Sequence, residues 1–384
     1  MKQDRKKILV AMSGGVDSSV TAALLVEEGH EVVGATMRTF CSRETPSHPK
    51  TCCGLEGIMD ARAVAKRLGI VHHIFDVEEE FIRDVIDDFV SEYARGRTPN
   101  PCVQCNSNTK FRDLMRRGRE LGCDGIATGH YVRMVRTPGA EPALLRGVDR
   151  AKDQAYFLWG LPPELVPLLH FPLGGLTKPQ VRKRARELEL ATAEKPESQE
   201  ICFVPMGDYR QVLRKRLAPR HPALEPGAIV NRAGEVLGEH DGYAGFTVGQ
   251  RKGLGGGFSE PLFVLEVRPR SREVVVGTKD ELFSPAMEVE GVNWLTGDPP
   301  RPGRALEVQI RHRAPSVPAV LQGVNPASGS IRLRFRDPQR AVTPGQSAAI
   351  FQGERLLGGG RIAAALSDVE GEERDRSTVL QGTS

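Results

Sequence analysis

The chain has 384 residues, of which 53 are Lys or Arg and 49 are Asp or Glu, giving a formal net charge of +4. This length predicts two or three domains, and no apolar run approaches the roughly 20 residues of a membrane helix, so a cytoplasmic protein without a membrane partner is expected. Seven cysteines are too few for a disulfide scaffold at this length and are interpreted as metal ligands, reactive thiols or core residues.

The stretch ILVAMSGGVDSSVTAALL, residues 8–25, predicts a strand, a glycine turn and a helix. Gly14 and Gly15 allow a sharp turn and a close approach of the backbone to a ligand, and the N–H groups at a helix start favour an anion such as phosphate. On the glycines alone, a plain strand-to-helix turn is the alternative. The seven positions S-G-G-x-D-S-S, however, resemble the signature of the ATP pyrophosphatases, or PP-loop enzymes. That resemblance implies ATP cleaved to AMP and pyrophosphate, with Mg²⁺ near Asp17.

Alternating strand and helix patterns from residue 7 to about 130 predict an α/β fold with a Rossmann-like parallel sheet. Because parallel sheets bind ligands beyond the carboxyl ends of their strands, Ser13, Met37 and Gly129 are expected at one edge. The predicted strands cover 7–12, 31–36, 71–75 and 124–128, and the helical patterns between them end at Gly69, Gly96 and Gly122.

Two cysteines follow the stretch TPNP in the segment GRTPNPCVQCNSNTKF. Each proline restricts its own φ and the residue before it, so a rigid loop presents Cys102 and Cys105 in a C-x-x-C spacing. A third thiol, Cys202, lies in ESQEICFVP. Spacing alone leaves a structural zinc, a redox disulfide and sulfur transfer as open alternatives. The other cysteines give weaker signals: Cys123 is predicted in the core, and Cys52 and Cys53 have no assigned role.

Glycine and proline become frequent after about residue 206, and helical periodicity gives way to short strand patterns. SIRLRFRD, for example, alternates apolar and basic residues as a half-exposed strand does. Basic clusters at 178–186 and 210–220 favour a nucleic-acid partner over a plain solvated helix face. The predicted domains are an ATP-binding catalytic domain at 1–205, a small β-rich domain at 206–285, a barrel-like domain at 286–365 and a disordered tail at 366–384.

Several longer segments together resemble the tRNA-specific 2-thiouridylases, bacterial enzymes that thiolate the wobble uridine of certain tRNAs. The segments run in order from residue 8 to about 362 and include AMSGGVDSSV, GRTPNPCVQCN, IATGHYVR, AKDQAYFLWGL, SQEICFVP and LGGGRI. The resemblance implies a PP-loop domain of the adenine nucleotide alpha hydrolase type. It also implies adenylation of the C2 oxygen of uridine 34 of tRNA, followed by sulfur transfer that yields 2-thiouridine, AMP and pyrophosphate.

The same resemblance assigns roles to residues of this chain. Cys105 matches the nucleophile, Cys202 matches the residue that carries a persulfide, and Asp17 is expected near Mg²⁺. ATP is expected to contact Ala11, Met12, Ser13, Gly14, Gly15, Val16, Asp17, Ser18, Met37 and Gly129. The target base is expected near Asn100, Pro101 and Cys102, with further tRNA contacts at Lys152, Asp153, Gln154, Arg311 and His312. The implied partners are tRNAs of the Lys, Glu and Gln acceptors and a sulfur donor, either a persulfide relay protein or a cysteine desulfurase.

One position departs from the family pattern, since much of the family has Asp where this chain has Cys102. Cys102, Cys105 and Cys202 together form a three-thiolate set that could hold a [4Fe–4S] cluster with one iron open to hydrosulfide. The alternative is a persulfide route in which Cys102 takes no part. Outside this family, a PP-loop enzyme that adenylates a small molecule and a non-enzymatic RNA-binding metal protein are the competing interpretations.

Overall fold

The computed structural model describes residues 5–39, 55–197, 201–204, 207–256, 258 and 260–367. Cys52, Cys53 and the part of the predicted tail from 368 onward lie outside the described residues. No helix in the described part of the chain is long and apolar enough to cross a membrane. The α-helices are α1 (Val16–Glu27), α2 (Leu55–Leu68), α3 (Glu78–Phe81), α4 (Asp87–Ala94), α5 (Pro101–Gln104), α6 (Leu114–Glu120), α7 (Lys178–Glu187) and α8 (Tyr209–Arg216).

Shorter helical segments join some of these helices. A π-helical stretch, Ile82–Ile86, connects α3 to α4, and a second, Cys105–Asp113, connects α5 to α6. The predicted helix that ends at Gly96 is therefore confirmed as the continuous run of α3, the π-helical stretch Ile82–Ile86 and α4. Short 3₁₀ helices cover Ala155–Phe157, Pro163–Leu168, Pro222–Leu224, Tyr243–Gly245 and Asp280–Leu282.

The strands within the described ranges form three sheets. In chain order they are β1 (Lys7–Ala11), β2 (Glu31–Arg38), β3 (Val71–Asp76), β4 (Gly125–Ala127), β5 (Val132–Val135), β6 (Ala143–Arg146), β7 (Leu169–His170), β8 (Gly227–Val230), β9 (Val236–His240), β10 (Phe263–Arg268), β11 (Glu273–Gly277), β12 (Phe283–Trp294), β13 (Ala305–Gln309), β14 (Val317–Val324), β15 (Ile331–Arg340), β16 (Ser347–Gln352) and β17 (Arg355–Leu366).

The first sheet is parallel and has the order β3-β2-β1-β4-β7. The predicted α/β fold and the four predicted strands are thereby confirmed, whereas β7 was not predicted because two residues carry no periodic signal. β1 lies near the centre and is buried on both faces. Ile8 and Val10 pack with residues of α1, α2 and α7, while Leu9 packs on the other side with residues of α6. Burial on both faces explains why β1 is an uninterrupted apolar run.

The other two sheets are formed after the parallel domain. β10-β11-β8-β9 form a small mixed sheet, and β12-β15-β14-β13-β16-β17 close into a barrel through the β12–β17 pairing. The expected second and third β-rich units are thus present, and the alternation in SIRLRFRD is confirmed in β15, where apolar residues are buried and Arg334 and Arg336 are exposed. The domain boundaries drawn from sequence stay predictions.

A hairpin from the parallel domain extends the barrel sheet. β5 pairs with β6, and Leu145 of β6 pairs with Arg355 of β17. Arg133 and Arg150 both form ion pairs with Glu354 of the barrel. The sequence patterns did not predict this hairpin, which joins the barrel to the domain that holds the glycine turn.

The TPNP loop lies where all three units meet. The Thr98 amide donates to the Pro344 carbonyl at 2.9 Å, and the Gln346 side-chain amide donates to the Thr98 carbonyl at 2.9 Å. The Thr98 hydroxyl donates to the Thr247 hydroxyl at 3.1 Å. Gly345 has φ +90°, and a Cβ at this position would lie 2.7 Å from the Thr98 nitrogen. The barrel and the central unit therefore fix the loop that precedes Cys102 and Cys105.

Gly345→Ala is expected to destabilise the protein, since it adds both left-handed backbone strain and a clash with Thr98. Gly353→Ala is a matched control, because Gly353 also has positive φ (+57°) but nothing lies within 4 Å of its added Cβ. We expect strain of about 1 kcal/mol or more at both positions and an additional cost of about 1–3 kcal/mol at Gly345. Thermal unfolding of the two variants checks this, and equal midpoints would contradict the proposed tight contact.

Candidate active site

The glycine turn between β1 and α1 is built by short polar contacts. Gly14 has φ +72°, and a Cβ there would lie 2.1 Å from the Gly57 carbonyl oxygen, so only glycine fits. Gly15 is the extended N-cap of α1, and its carbonyl accepts hydrogen bonds from the Ser18 and Ser19 hydroxyls at 3.0 and 2.9 Å. The Ser13 amide donates to the Ser18 hydroxyl at 3.2 Å. The turn is therefore a preformed loop that holds the start of α1.

The predicted nucleotide residues gather at the carboxyl edge of the parallel sheet. Ala11 ends β1, Met12 is buried, and Val16 opens α1. A Cβ on Gly129 would lie 2.9 Å from the Asp17 carbonyl carbon and the Ser18 nitrogen, so this glycine allows the segment after β4 to touch the turn. Met37 lies near the end of β2. The structure thus brings the turn and Gly129 into contact, with Met37 on the neighbouring strand.

Asp17 is the centre of a charged network. The Tyr131 hydroxyl donates to Asp17 Oδ1 at 2.7 Å, and the Lys178 ammonium donates to both carboxylate oxygens at 2.8 Å. Burial raises the pKa of Tyr131 above its usual range, and the charge of Asp17 adds to this, so the hydroxyl stays a donor. The Lys178 side chain is only 9% exposed. A buried ammonium needs an anionic partner, and here Asp17 is one of two.

The second anionic partner of Lys178 is Glu197. Its carboxylate accepts from Lys178 Nζ at 2.6 Å and from Lys152 Nζ at 2.5 Å. Burial alone would raise the pKa of Glu197, but the hydrogen bonds from the two lysines outweigh it and hold the pKa below its usual range. Two carboxylates and two ammonium groups therefore alternate beside the glycine turn.

Sequence reasoning missed Lys178, Glu197 and Tyr131 at this site. Lys178 was interpreted as one of the basic residues of 178–186 facing a nucleic acid. Instead, it begins α7 behind a capping box of Thr177 and Gln180. Most of the remaining cluster is also paired within the protein. Its ion pairs are Lys183–Glu187, Arg184–Glu27, Arg184–Glu187 and Arg186–Glu194.

The segment Lys152-Asp153-Gln154 was expected to contact tRNA, and its side chains have partners within the protein. Asp153 accepts from Arg146 Nη1 at 2.8 Å and from the Gly147 amide at 2.9 Å. Gln154 accepts from the Tyr131 amide at 3.0 Å. Through Lys152 and Gln154 the segment therefore contacts Glu197 and Tyr131 of the Asp17 network. Its contact with tRNA stays a prediction.

Arg311 and His312 lie where the barrel meets the parallel domain. The Arg311 guanidinium donates to the carbonyls of Arg340 and Ala341 at 2.7 and 2.6 Å. The His312 ring lies 4.5 Å from the Phe157 ring, centroid to centroid, and burial lowers the pKa of His312. These contacts position both residues at the junction, and their role in binding tRNA stays a prediction.

The TPNP loop leads into the helix that carries two of the three thiols. Asn100 is the N-cap of α5, Pro101 is its buried first residue, and Cys105 begins the π-helical stretch. Burial raises the pKa of Tyr156 to about 12, although hydrogen bonds with Asn100 and Ser347 act in the opposite direction. Tyr156 therefore stays protonated and links the loop to the barrel.

The three candidate thiols have different surroundings. Cys102 is exposed, whereas Cys105 and Cys202 are half-buried and pack against the same apolar cluster. Phe203, next to Cys202, lies 5.1 Å from the Phe89 ring and so anchors this segment on α4. Among the residues described, no three His, Cys, Asp or Glu side chains are grouped to hold a metal ion. The [4Fe–4S] alternative for Cys102, Cys105 and Cys202 stays a prediction. Cys123 is buried, as predicted.

Comparison with known proteins supplies the family. Family models described as a tRNA methyl transferase HUP domain, a tRNA methyl transferase PRC-barrel domain and an aminomethyltransferase beta-barrel domain match residues 6–206, 213–278 and 284–362. The tRNA-specific 2-thiouridylase MnmA of Geobacter metallireducens is 49% identical over 370 residues, covering 95% of this chain and 98% of its own length. That of Thermus thermophilus is 47% identical, covering 98% of this chain and all of its own. The chain belongs to the tRNA-specific 2-thiouridylase family.

Membership in the 2-thiouridylase family confirms the resemblance drawn from the motifs and makes the turn at Asp17 a PP-loop. PP-loop enzymes use ATP with Mg²⁺, and the donor chemistry here suits that ion, since Mg²⁺ prefers a carboxylate together with phosphate oxygens. The expected place of Mg²⁺ near Asp17 stays a prediction. Both oxygens of Asp17 accept from Lys178.

A buried histidine behind the site gives a pH-dependent prediction. Burial lowers the pKa of His130 from 6.5 to about 3, and the charge of Lys110 adds to this. The unfolded chain therefore binds the proton more readily, and the stability that neutral His130 contributes is lost as the pH falls below 6.5 toward 3. The melting temperature of the wild type minus that of His130→Gln should shrink steadily below about pH 6.5. A difference that is constant down to about pH 4 would contradict a buried, neutral His130.

Proposed function

We propose that the chain is a tRNA-uridine 2-sulfurtransferase that uses ATP to convert uridine 34 of tRNA to 2-thiouridine, releasing AMP and pyrophosphate. The observation that carries the proposal is the PP-loop at Asp17 in the same domain as Cys105 and Cys202, which share one apolar cluster. Near-full-length relatives named tRNA-specific 2-thiouridylase support the reaction. In this proposal the loop binds a nucleotide, and Cys105 and Cys202, which pack against one apolar cluster, carry out sulfur transfer.

The first step of the proposed reaction activates the base. The C2 carbonyl of uracil is a poor electrophile and has no leaving group. Its oxygen attacks the α-phosphorus of ATP, the bond between that phosphorus and the bridging oxygen breaks, and pyrophosphate leaves. Mg²⁺ supplies charge neutralisation on the phosphates when bound. The residues of this chain would hold the nucleotide: the amides at the start of α1 would bind the phosphates, and Asp17 would hold the Mg²⁺.

The second step transfers the sulfur. The terminal sulfur of a persulfide on Cys202 attacks C2, and AMP leaves with the oxygen that was activated. Cys105 then attacks the Cys202 sulfur, which releases 2-thiouridine and leaves a disulfide between the two cysteines. An external thiol reduces that disulfide before the next turnover. In this route Cys102 forms no bond, which agrees with its exposure while the other two thiols pack against the apolar cluster.

The target base must leave its stack to reach these thiols. Extrusion costs a few kcal/mol and is cheaper in an anticodon loop than in a duplex. The TPNP loop is suited to bind the extruded base, because Asn100 and Pro101 immediately precede Cys102 and Cys105. Hydrogen bonds from the barrel and to the central unit hold the loop in place. The proposed partners are the tRNAs specific for Lys, Glu and Gln and a persulfide-carrying sulfur donor. The proposed location of the reaction is the cytoplasm.

Cysteine variants test the two-thiol route. Cys105→Ser and Cys202→Ser should each abolish formation of 2-thiouridine, because each removes a sulfur that the route requires, while binding of tRNA is kept. Cys102→Ser is the matched control and should retain activity. The measurement is mass spectrometry of tRNA nucleosides after incubation with ATP and a persulfide donor, a cysteine desulfurase supplied with free cysteine. Full loss of activity in Cys102→Ser, with iron and acid-labile sulfide in anaerobically purified wild type, would favour the [4Fe–4S] alternative instead.

The exchange of labelled pyrophosphate into ATP separates the proposed reaction from adenylation of a small molecule. Since the acceptor of AMP is the base, exchange should require unmodified tRNA and should be lost in Asp17→Ala. Exchange that ignores tRNA and responds to a metabolite would contradict the proposal. A protein without affinity for ATP would instead be an RNA-binding protein without this activity.

A further inference from the structure

A buried carboxylate lies between the start of the TPNP loop and the barrel. The Glu92 side chain on α4 is only 2% exposed, and the guanidinium groups of Arg97 and Arg361 approach it at 2.8 and 3.1 Å. We propose that Glu92 is a positioning residue for sulfur transfer, because it holds the TPNP loop and the barrel against the helix on which the two reacting thiols pack. The inference rests on the proposed function and adds to it a residue outside the PP-loop and the thiols.

Arg97 connects Glu92 to the loop. It directly precedes Thr98, the first residue of the TPNP loop, and its amide donates to the Glu92 carbonyl at 2.9 Å. Its guanidinium contacts two carboxylates, Glu92 through Nε and Glu290 of β12 through Nη2. A planar guanidinium presents its donors in fixed directions and can serve two acceptors at once. The loop therefore begins at a residue that contacts α4 and the barrel together.

Arg361 makes the corresponding link from the barrel. It lies on β17 opposite Glu290 of β12, and its Nη2 donates to both oxygens of Asp88 at 2.9 Å while Nη1 contacts Glu92. Asp88 and Glu92 are four positions apart and so lie on the same face of α4. Since a buried charge that loses its partner is strongly disfavoured, Glu92 and the two arginines hold one another in place.

Charge rather than hydrogen-bond direction accounts for the contact between Arg97 and Glu92. Arg97 Nε and Glu92 Oε2 are 2.8 Å apart, yet neither atom makes a hydrogen bond within the part of the chain that the structure describes. Coulomb attraction between them is stronger in this partly desolvated position than in water. Replacing Glu92 by Gln therefore removes the attraction and keeps the shape of the side chain.

A second face of α4 holds the thiols. Phe89 and Tyr93 belong to the apolar cluster against which Cys105 and Cys202 pack, and the Phe89 ring lies 5.1 Å from that of Phe203. The helix thus presents carboxylates to the loop and the barrel, and aromatic rings to the thiols. A displacement of about 1 Å can cost a reaction about a hundredfold in rate, so the base on the loop and the sulfur beside α4 need a fixed relation.

Steady-state kinetics of 2-thiouridine formation, with tRNA, ATP and the persulfide donor, tests the proposal. Glu92→Gln should lower kcat by about tenfold or more, because the loop and the thiols lose their fixed relation. The KM for tRNA should change little, since the contacts that bind the RNA remain. Asp88→Asn is the matched control: it removes a carboxylate from the same helix face, but one that bonds Arg361 rather than the loop, and should keep the kcat of the wild type.

Arg97→Lys is a second variant, which keeps the positive charge beside Glu92 but not the fork that serves two carboxylates. It should lower kcat as Glu92→Gln does, and the double variant should lose little more than either single one, because the two residues act as a unit. Arg95→Lys is its control and should keep full activity. Arg95 also contacts Glu92, at 3.4 Å, but it is 67% exposed, and an exposed pair contributes little.

Hydrogen exchange of the TPNP loop gives a readout that does not depend on activity. The Thr98 amide donates to the Pro344 carbonyl, so its exchange reports how firmly the loop is held. Mass spectrometry of peptides that cover residues 97–105 should show several-fold faster exchange in Glu92→Gln than in the wild type or Asp88→Asn.

Three results would overturn the inference. Unchanged exchange in Glu92→Gln would show that the carboxylate does not hold the loop, and faster exchange with unchanged kcat would show that the position of the loop does not govern sulfur transfer. Equal losses of kcat in Glu92→Gln and Asp88→Asn, in step with lower melting temperatures, would show that Glu92 only supports the fold. A wild type that forms no 2-thiouridine would refute the proposed function, whereas the exchange experiment would still decide whether Glu92 holds the loop.

Discussion

The architecture of the site depends on one carboxylate. Asp17 stands in the first turn of α1, where the helix dipole already favours negative charge, and it accepts from Tyr131 and Lys178. Its partners come from the segment after β4 and from the start of α7, so this single group ties the PP-loop to two distant parts of the domain. At this edge of the parallel sheet the carboxylates of Asp17 and Glu197 are consequently paired with the ammonium groups of Lys178 and Lys152.

The TPNP loop is a second element of fixed position, and the barrel and the central unit hold it. The TPNP loop receives hydrogen bonds from Gln346 of the barrel segment and donates one to Thr247 of the central unit, while Gly345 leaves room for its backbone. A loop held from two sides sets the direction in which the helix bearing Cys105 begins. The π-helical stretch that starts at Cys105 is a geometry frequently found at functional sites.

Local patterns predicted much of the fold, and long-range contacts account for what they did not. The strand, turn and helix at 8–25 follow from glycine position and apolar spacing, and the alternation of elements fixed the parallel sheet. Lys178 lies 161 positions from Asp17, so no local pattern could distinguish it from its basic neighbours. β7 is two residues long, and β5 and β6, which were not among the predicted strands, join the barrel through a long-range pairing that no local pattern shows. The exposure of Cys102 likewise depends on tertiary contacts and could not be predicted from the C-x-x-C spacing.

Arg146 joins the barrel to the part of the parallel domain that lies beside the PP-loop. Its Nη1 donates to Asp153 at 2.8 Å and to Gln309 of the barrel at 2.9 Å, and its guanidinium carbon lies 3.7 Å from the centre of the Phe351 ring. The half-buried Arg146 guanidinium thus bonds Asp153 of the segment 152–154 and Gln309 of the barrel, which couples the position of the segment to that of the barrel. Gln154 in turn binds the Tyr131 backbone, and Tyr131 binds Asp17. Hydrogen bonds of Tyr131, Gln154, Asp153, Arg146 and Gln309 thus relate the PP-loop to the junction that holds Arg311 and His312.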